Sequence, residues 1–280
     1  MKPSFFFYAN PYQPRSAQAA RALAAEAEKR GARVYAEPWL AQEGVGLEAS
    51  VEALPGEVRA LVALGGDGTL LRCAPAAARQ NVPLLGVHTG TVGFLMPGDA
   101  DRPAELAQLL IQEAYPEDRY PLLRVRCGGK QYLCLNDVSL TRGEHPGVME
   151  TVAQADGELV FRAHGDGVVV STPLGCTAYG LAAGGPVVRP DVGCLMITPL
   201  CARELLLRPV ILPLSAQVLL WAHGSQRRRF QLAIDGQTLL PITDESQVEI
   251  SRAEESIRLI RPEPARFFDT LRRKQAIWNQ

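Results

Sequence analysis

Three glycines and an aspartate, set between an apolar run and a helix start, constrain this chain more than any other feature. Gly65-Gly66-Asp67-Gly68-Thr69 follows Ala60-Leu61-Val62-Ala63-Leu64, which reads as a buried strand. It precedes Leu70-Leu71-Arg72-Cys73-Ala74, which reads as the first turns of a helix. Glycine lets the backbone turn tightly and approach a ligand closely. A helix start adds N–H groups and the positive end of the helix dipole, which suits phosphate. A loop that only held phosphate would gain nothing from a carboxylate. Asp67 therefore points to work on a hydroxyl nucleophile or a metal ion, unless it only satisfies N–H groups of a tight turn.

The chain has 280 residues, of which 47% are hydrophobic, enough for about two domains with a large core. A net charge of −1 gives no long-range attraction to nucleic acid or an acidic membrane. Arg227-Arg228-Arg229 reads as a solvated turn between strands. Cys73, Cys127, Cys134, Cys176, Cys194 and Cys201 form no Cys-x-x-Cys and no zinc-finger spacing, and most lie in apolar segments, as expected for a reducing cytoplasm. The apolar run at 5–9 is too short for a signal peptide, and no run reaches spanning length, so a soluble cytoplasmic protein is expected.

The pattern changes character near residue 100. Before it, strands at 5–8, 33–36, 61–64 and 83–87 alternate with helical stretches such as 16–30, closed by Gly31. Such alternation predicts a parallel sheet covered by helices, with ligands beyond the carboxyl ends of the strands. Both the glycine loop and His88-Thr89-Gly90-Thr91-Val92-Gly93-Phe94 would lie there. Residues 104–114 read as a linking helix. Hairpins then follow: 122–126 with 132–135 around Gly128-Gly129, 151–155 with 159–163 around Asp156-Gly157, and 230–234 with 238–240 around Asp235-Gly236. The expected organisation is an α/β domain over 1–100 and a β-rich domain over 101–261. A closing helix within 262–280, centred on 266–278, returns to the first domain.

No P-loop occurs, and Leu71 stands where the dinucleotide fingerprint needs its third glycine. His88, His145, His164 and His223 show no metal-ligand spacing, and no metal-binding residues are assigned. A second constellation is informative instead. Asp166-Gly167-Val168-Val169-Val170-Ser171-Thr172-Pro173-Leu174-Gly175-Cys176-Thr177-Ala178-Tyr179 precedes Ala183-Gly184-Gly185-Pro186. It reads as a strand, a glycine loop and a short helix opening at Thr177-Ala178-Tyr179, with hydroxyl and aromatic groups able to bond and stack on a purine. Upstream, Asn136-Asp137 places an amide beside a carboxylate. Neighbouring strand residues point to opposite faces, so a bulge or loop is needed for both to reach one ligand.

In that order and spacing these segments resemble the NAD kinase family over nearly the whole chain. The family pattern runs Gly-Gly-Asp-Gly, Asn-Glu, Asp-Gly-x-x-x-Ser-Thr-Pro-x-Gly-x-Thr-Ala-Tyr and Ala-Gly-Gly-Pro. The glycine loop alone is shared with diacylglycerol and sphingosine kinases; the stretch 166–186 is much more specific. The resemblance implies an NAD kinase/diacylglycerol kinase-like fold: an α/β N-terminal domain with a parallel sheet plus a β-rich C-terminal domain. It implies ATP-dependent phosphorylation of the adenosine-ribose 2′-hydroxyl of NAD to give NADP, with Mg²⁺ accompanying ATP, and homo-oligomers. Asp67 would be the catalytic carboxylate, and Gly65, Gly66, Gly68 and Thr69 the phosphate loop. Phe94, Asn136, Asp137, Asp166, Thr177, Ala178 and Tyr179 would bind substrate together with Gly68.

The chain departs from that pattern at several places. Asp137 stands where Glu is usual, His88 where Asn is common, and Leu174 where Ser or Thr is frequent. Cys176, Gly180 and Cys201 also differ near the expected pocket. Two other readings stay open at this level: a lipid kinase of the diacylglycerol type, which gives no reason for the Thr177-Ala178-Tyr179 block, and a non-catalytic NADP(H)-binding protein.

Overall fold

A computed structural model describes residues 2–90, 93–112, 114–144, 147–224, 229–263 and 267–278, with side chains to 273. The sequence readings at Thr91, Val92, His145, Arg227, Arg228 and Arg266 lie outside the described residues, as do those at 113 and 279–280. The chain forms two compact units, residues 1–119 with 257–280 and residues 120–256.

In the first unit, β1 (Ser4–Ala9), α1 (Pro14–Lys29), β2 (Arg33–Ala36), α2 (Pro38–Gln42), β3 (Leu47–Glu48), β4 (Val58–Gly65), α3 (Asp67–Arg79), β5 (Leu84–His88), β6 (Gly98–Asp99) and α4 (Pro103–Leu110) follow one another. The strands pair in the order β3-β2-β1-β4-β5, all parallel, and β6 adds to β5 in the same sense. Phe5, Phe6 and Phe7 are all fully buried. A continuous apolar run, rather than an alternating one, is what a parallel strand covered on both faces requires. Helix α1 starts on a proline and buries Ala19, Ala20, Leu23, Ala24 and Ala27 on one face. Gly31 then reverses the chain at φ +84°. The segment read as a link is α4; it ends at Leu110 and buries Leu106, Ala107 and Leu110 in this unit's core.

The second unit is antiparallel. It holds β7 (Glu117–Cys127) from Tyr120 on, β8 (Lys130–Cys134), β9 (Asp137–Thr141), β10 (Met149–Ala155), β11 (Glu158–Gly165), β12 (Gly167–Ser171), α5 (Tyr179–Ala182), β13 (Cys194–Leu200), β14 (Val210–Pro213), β15 (Val218–His223), β16 (Phe230–Ile234), β17 (Thr238–Ile242) and the start of β18 (Val248–Ile260). One sheet has the order β14-β13-β12-β9-β16-β17; a second runs β11-β10-β15-β18, with the β7–β8 hairpin paired to β18. Their facing side chains, among them Leu123, Val138, Leu140, Val168, Val170, Ile197, Leu220 and Ile250, make one core. Each side chain fully withdrawn from water contributes about 1.5–3 kcal/mol. The Asp156-Gly157 and Asp235-Gly236 turns have positive φ at both residues, the geometry that matches hairpin twist.

The end of β18 belongs to the first unit, where Leu259 pairs in parallel with Leu84. Arg258 and Arg261 bond Glu117 and Asp118 there. The closing helix α6 (Phe267–Trp278) sets Phe267 against Phe94, ring centroids 6.5 Å apart.

Candidate active site

One group of candidate residues sits at the carboxyl ends of β4 and β5. Gly66 caps α3 in extended conformation, and Asp67 and Gly68 are the first two helical residues. The Gly66 N–H reaches back to Thr69 Oγ1 at 3.4 Å, and the Thr69 N–H donates to the Gly66 carbonyl at 2.9 Å. Thr69 is buried, whereas Gly68 is exposed and Asp67 half-buried. Gly65 has φ +154°, and a Cβ there would lie 2.4 Å from Thr69 Oγ1, so no other residue fits.

The Asp67 carboxylate does not serve its own turn. Its Oδ2 accepts the Phe94 N–H and its Oδ1 the Leu95 N–H, each at 3.0 Å. These donors lie 27 and 28 residues away in sequence, in the segment after β5. One N–H on each oxygen fixes the plane of the carboxylate. Gly93 is pressed against it: a Cβ there would fall 1.9 Å from Asp67 Oδ1. Thr89 completes the support, donating its N–H to the Gly65 carbonyl at 3.2 Å while its hydroxyl lies 3.1 Å from Ser16 Oγ.

A second group lies in the second unit. Asn136 falls in a bend between β8 and β9, the break in strand alternation that the Asn-Asp pair needs. Thr172 clamps this bend, its Oγ1 donating to the Leu135 carbonyl at 2.6 Å and its N–H to the Asn136 carbonyl at 2.9 Å. Asn136 Oδ1 is buried with no hydrogen-bond partner among the described residues. Such an atom is costly unless a donor arrives. Asp137 is buried, and the Tyr179 backbone N–H faces it and lowers its carboxyl slightly. Burial, and then the charge of Asp235, push its carboxyl up from 3.8 to about 7. Tyr179 is 42% exposed, and its phenol is raised by burial and by nearby Asp137, Cys201 and Asp166. Asp166 is held by Arg142, whose Nε donates to Oδ1 at 2.8 Å.

The expected helix start at Thr177-Ala178-Tyr179 needs correction. Gly175–Thr177 form a 3₁₀ turn, and the four-residue α5 begins only at Tyr179. Ala178 stands between them at φ −107° and ψ −120°, outside helical geometry. The backbone at Gly175 is packed onto Asn136 so closely that a Cβ would meet the Asn136 carbonyl oxygen at 2.0 Å, and the chain must re-aim after it. Thr177 turns inward and donates to the Leu174 carbonyl at 2.9 Å. The loop therefore offers an aromatic ring and a small Ala178 surface rather than a helix dipole. Gly180 packs on Ser171 and Met196, where a Cβ would come within 2.8 and 2.9 Å, so a larger residue could not stand there without repacking.

Gly93, Thr172, Arg142 and Asp235 are not among the site residues expected from the sequence. The Ser171-Thr172-Pro173 run and the Asp235-Gly236 turn were visible, but their partners lie far along the chain. Among the described residues no three His, Cys, Asp or Glu side chains converge as a metal cage. No described helix is long and apolar enough to cross a membrane.

Comparison with known proteins decides the family. Residues 5–115 match the family described as ATP-NAD kinase N-terminal domain, and residues 135–262 that described as ATP-NAD kinase C-terminal domain. The chain belongs to the NAD kinase family. It is 36% identical to an NAD kinase of Heliobacterium modesticaldum over 219 residues, covering 76% of this chain and 77% of that one. It is 37% identical to an NAD kinase of Mycobacterium bovis over 264 residues, covering 91% and 85%. A yeast NADH kinase solved with NADH shares the fold at TM-score 0.86 and 23% identity, over 100% of this chain and 89% of that one. An Archaeoglobus fulgidus NAD kinase solved with ATP does so at 0.76 and 23%, over 97% and 99%. The NAD kinase fold expected from sequence is thus the one observed.

Proposed function

We propose that Asp67 orients the adenosine-ribose 2′-hydroxyl of NAD and accepts its proton as the γ-phosphoryl group of ATP is transferred. The activity itself, phosphorylation of NAD to NADP, follows from membership of the NAD kinase family and from the intact glycine loop. The observation that carries the role of Asp67 is its carboxylate, held by two backbone N–H donors at the start of α3.

Phosphoryl transfer asks a protein mainly for positioning and charge stabilisation. A secondary hydroxyl is a poor nucleophile, and a carboxylate whose plane is fixed can both align it and take its proton. Gly66 and Gly68 give phosphate oxygens close approach to the positive end of α3. Phe94 supplies apolar area to the acceptor. In the second unit, Asn136 and Asp137 accept from adenine and ribose donors, Tyr179 and Ala178 pack on the nucleoside, and Asp166 faces the nicotinamide end. Mg²⁺ accompanying ATP would offset the triphosphate charge. We place the protein in the cytoplasm as a homo-oligomer.

The test is NADP formation from NAD, ATP and Mg²⁺, read by an NADP-specific dehydrogenase. Steady turnover is expected. Bound NADP without turnover would support a binding protein, and phosphorylated diacylglycerol without NADP a lipid kinase.

A further inference from the structure

Asp235 occupies a hairpin tip, yet its carboxylate is built into the second unit's interior. It is 8% exposed. Oδ2 accepts the Leu135 N–H at 2.8 Å, and Oδ1 accepts the Asn136 N–H at 2.7 Å and the Asp137 N–H at 3.2 Å. The Cys134 thiol adds a fourth donor to Oδ1 at 3.2 Å. In return the Asp235 N–H donates to the Asp137 carbonyl at 2.9 Å. Four consecutive residues, 134–137, thus converge on one carboxylate about a hundred positions away in sequence.

A turn does not need this carboxylate. At φ +51° followed by glycine, asparagine would serve a type I′ turn as well as aspartate does. What needs an ionised, acceptor-only group is the row of N–H donors. That row belongs to the bend carrying Asn136 and Asp137. With Thr172 on its carbonyl side, the backbone of Asn136 is bonded through both polar groups, while its side-chain Oδ1 remains unsatisfied.

We infer that Asp235 is a positioning residue for the acceptor nucleotide: its carboxylate holds the 135–137 bend so that the Asn136 amide and the Asp137 carboxylate meet the adenosine moiety of NAD. This rests on the acceptor-site reading above. The Asp235 charge also stands against Asp137 and, after burial, raises that carboxyl, so the group that shapes the bend also acts on the proton affinity of its neighbour.

The experiment uses Asp235→Asn, Asp137→Ala and the double variant in the full chain, with NAD and Mg²⁺-ATP varied in turn. In Asp235→Asn the NAD KM is expected to rise roughly tenfold to a hundredfold, the scale of a charge-assisted hydrogen-bond set lost from a buried site. The ATP KM should stay within about twofold, since the acceptor bend alone is disturbed. Because Asp235 acts partly through Asp137, the double variant should lose less than the two single variants summed. An unchanged NAD KM, a parallel rise of both KM values, or full additivity would overturn the inference. If Asp235→Asn does not fold, Asp235→Ser is measured in its place; failure of both to fold would make Asp235 a determinant of the fold and end the positioning role. If Asp137→Ala itself leaves the NAD KM unchanged, the acceptor-site reading has failed instead.

Discussion

Replacing Gly93 with alanine puts a methyl group where the Asp67 carboxylate stands. The added Cβ would lie 1.9 Å from Oδ1, 2.7 Å from Cγ and 3.0 Å from Oδ2. All three are well inside contact distance, so the carboxylate or its loop must move. Rotation of the Asp67 side chain is the smaller adjustment. It breaks the bonds from Phe94 and Leu95, each at 3.0 Å. Hydrogen bonds to charged groups are worth about 1.5–3 kcal/mol each, and a half-exposed carboxylate recovers much of that from water. Stability should therefore fall by only about 1–3 kcal/mol. The chemical cost is larger, because a misplacement near 1 Å at a reacting group costs about a hundredfold. We expect Gly93→Ala to lower kcat by at least about a hundredfold while the protein remains folded. The assay is coupled NADP formation at saturating NAD and Mg²⁺-ATP, with a thermal melt on the same preparation. A folded variant with wild-type kcat would show that the fixed plane of Asp67 is irrelevant to turnover.

Other outcomes follow from the second unit. The Asp137 carboxyl, raised from 3.8 to about 7 by burial and by Asp235, holds its proton more tightly in the folded chain than in the unfolded one. Its contribution to stability is complete below pH 4 or so and is lost as pH rises through about 7. Asp137→Asn should therefore raise the Tm at pH 8 more than at pH 5, with a ceiling of about 4 kcal/mol, while NAD binding weakens; equal melting shifts at both pH values would contradict this. Gly175→Ala would drive a Cβ to 2.0 Å from the Asn136 carbonyl oxygen, a backbone atom with little freedom to move. A loss of about 1–3 kcal/mol and a higher NAD KM are expected, checked by denaturant titration and kinetics. Tyr179→Ala removes a half-exposed ring worth about 0.5–1.5 kcal/mol in stacking, so the NAD KM should rise roughly twofold to tenfold with the ATP KM unchanged; the reverse pattern would place this ring at the donor.

Where local chemistry dictates structure, the sequence was legible. The run Phe5-Phe6-Phe7 could be satisfied only by a strand covered on both faces, and it is one. Gly128-Gly129, Asp156-Gly157 and Asp235-Gly236 carry the backbone freedom that two-residue turns demand, and all three sit between paired strands. The glycine loop appeared at the strand-to-helix junction where its composition put it. What escaped was set by partners distant in sequence. Nothing near Asp67 reveals that Phe94 and Leu95 will fix its plane. Nothing near Asp235 reveals three amides and a thiol from residues 134–137. The break at Ala178 was hidden for the same reason, since helix-forming residues there yield to the packing of Gly175 on Asn136. Leu205 and Leu206 stand in an apolar stretch of the sequence, yet both are exposed, at 85% and 90%.

The most direct measurement is the single-turnover rate of NADP formation by Asp67→Asn, with NAD and Mg²⁺-ATP both saturating. Asparagine keeps the size of the side chain and one acceptor oxygen, but it cannot take the hydroxyl proton. A general base typically contributes about a hundredfold to ten-thousandfold. The rate is predicted to fall within that range while NAD affinity, measured by calorimetry, changes by no more than about threefold. A rate near that of the unsubstituted protein would contradict the account, because Asp67 would then hold the loop without touching the chemistry.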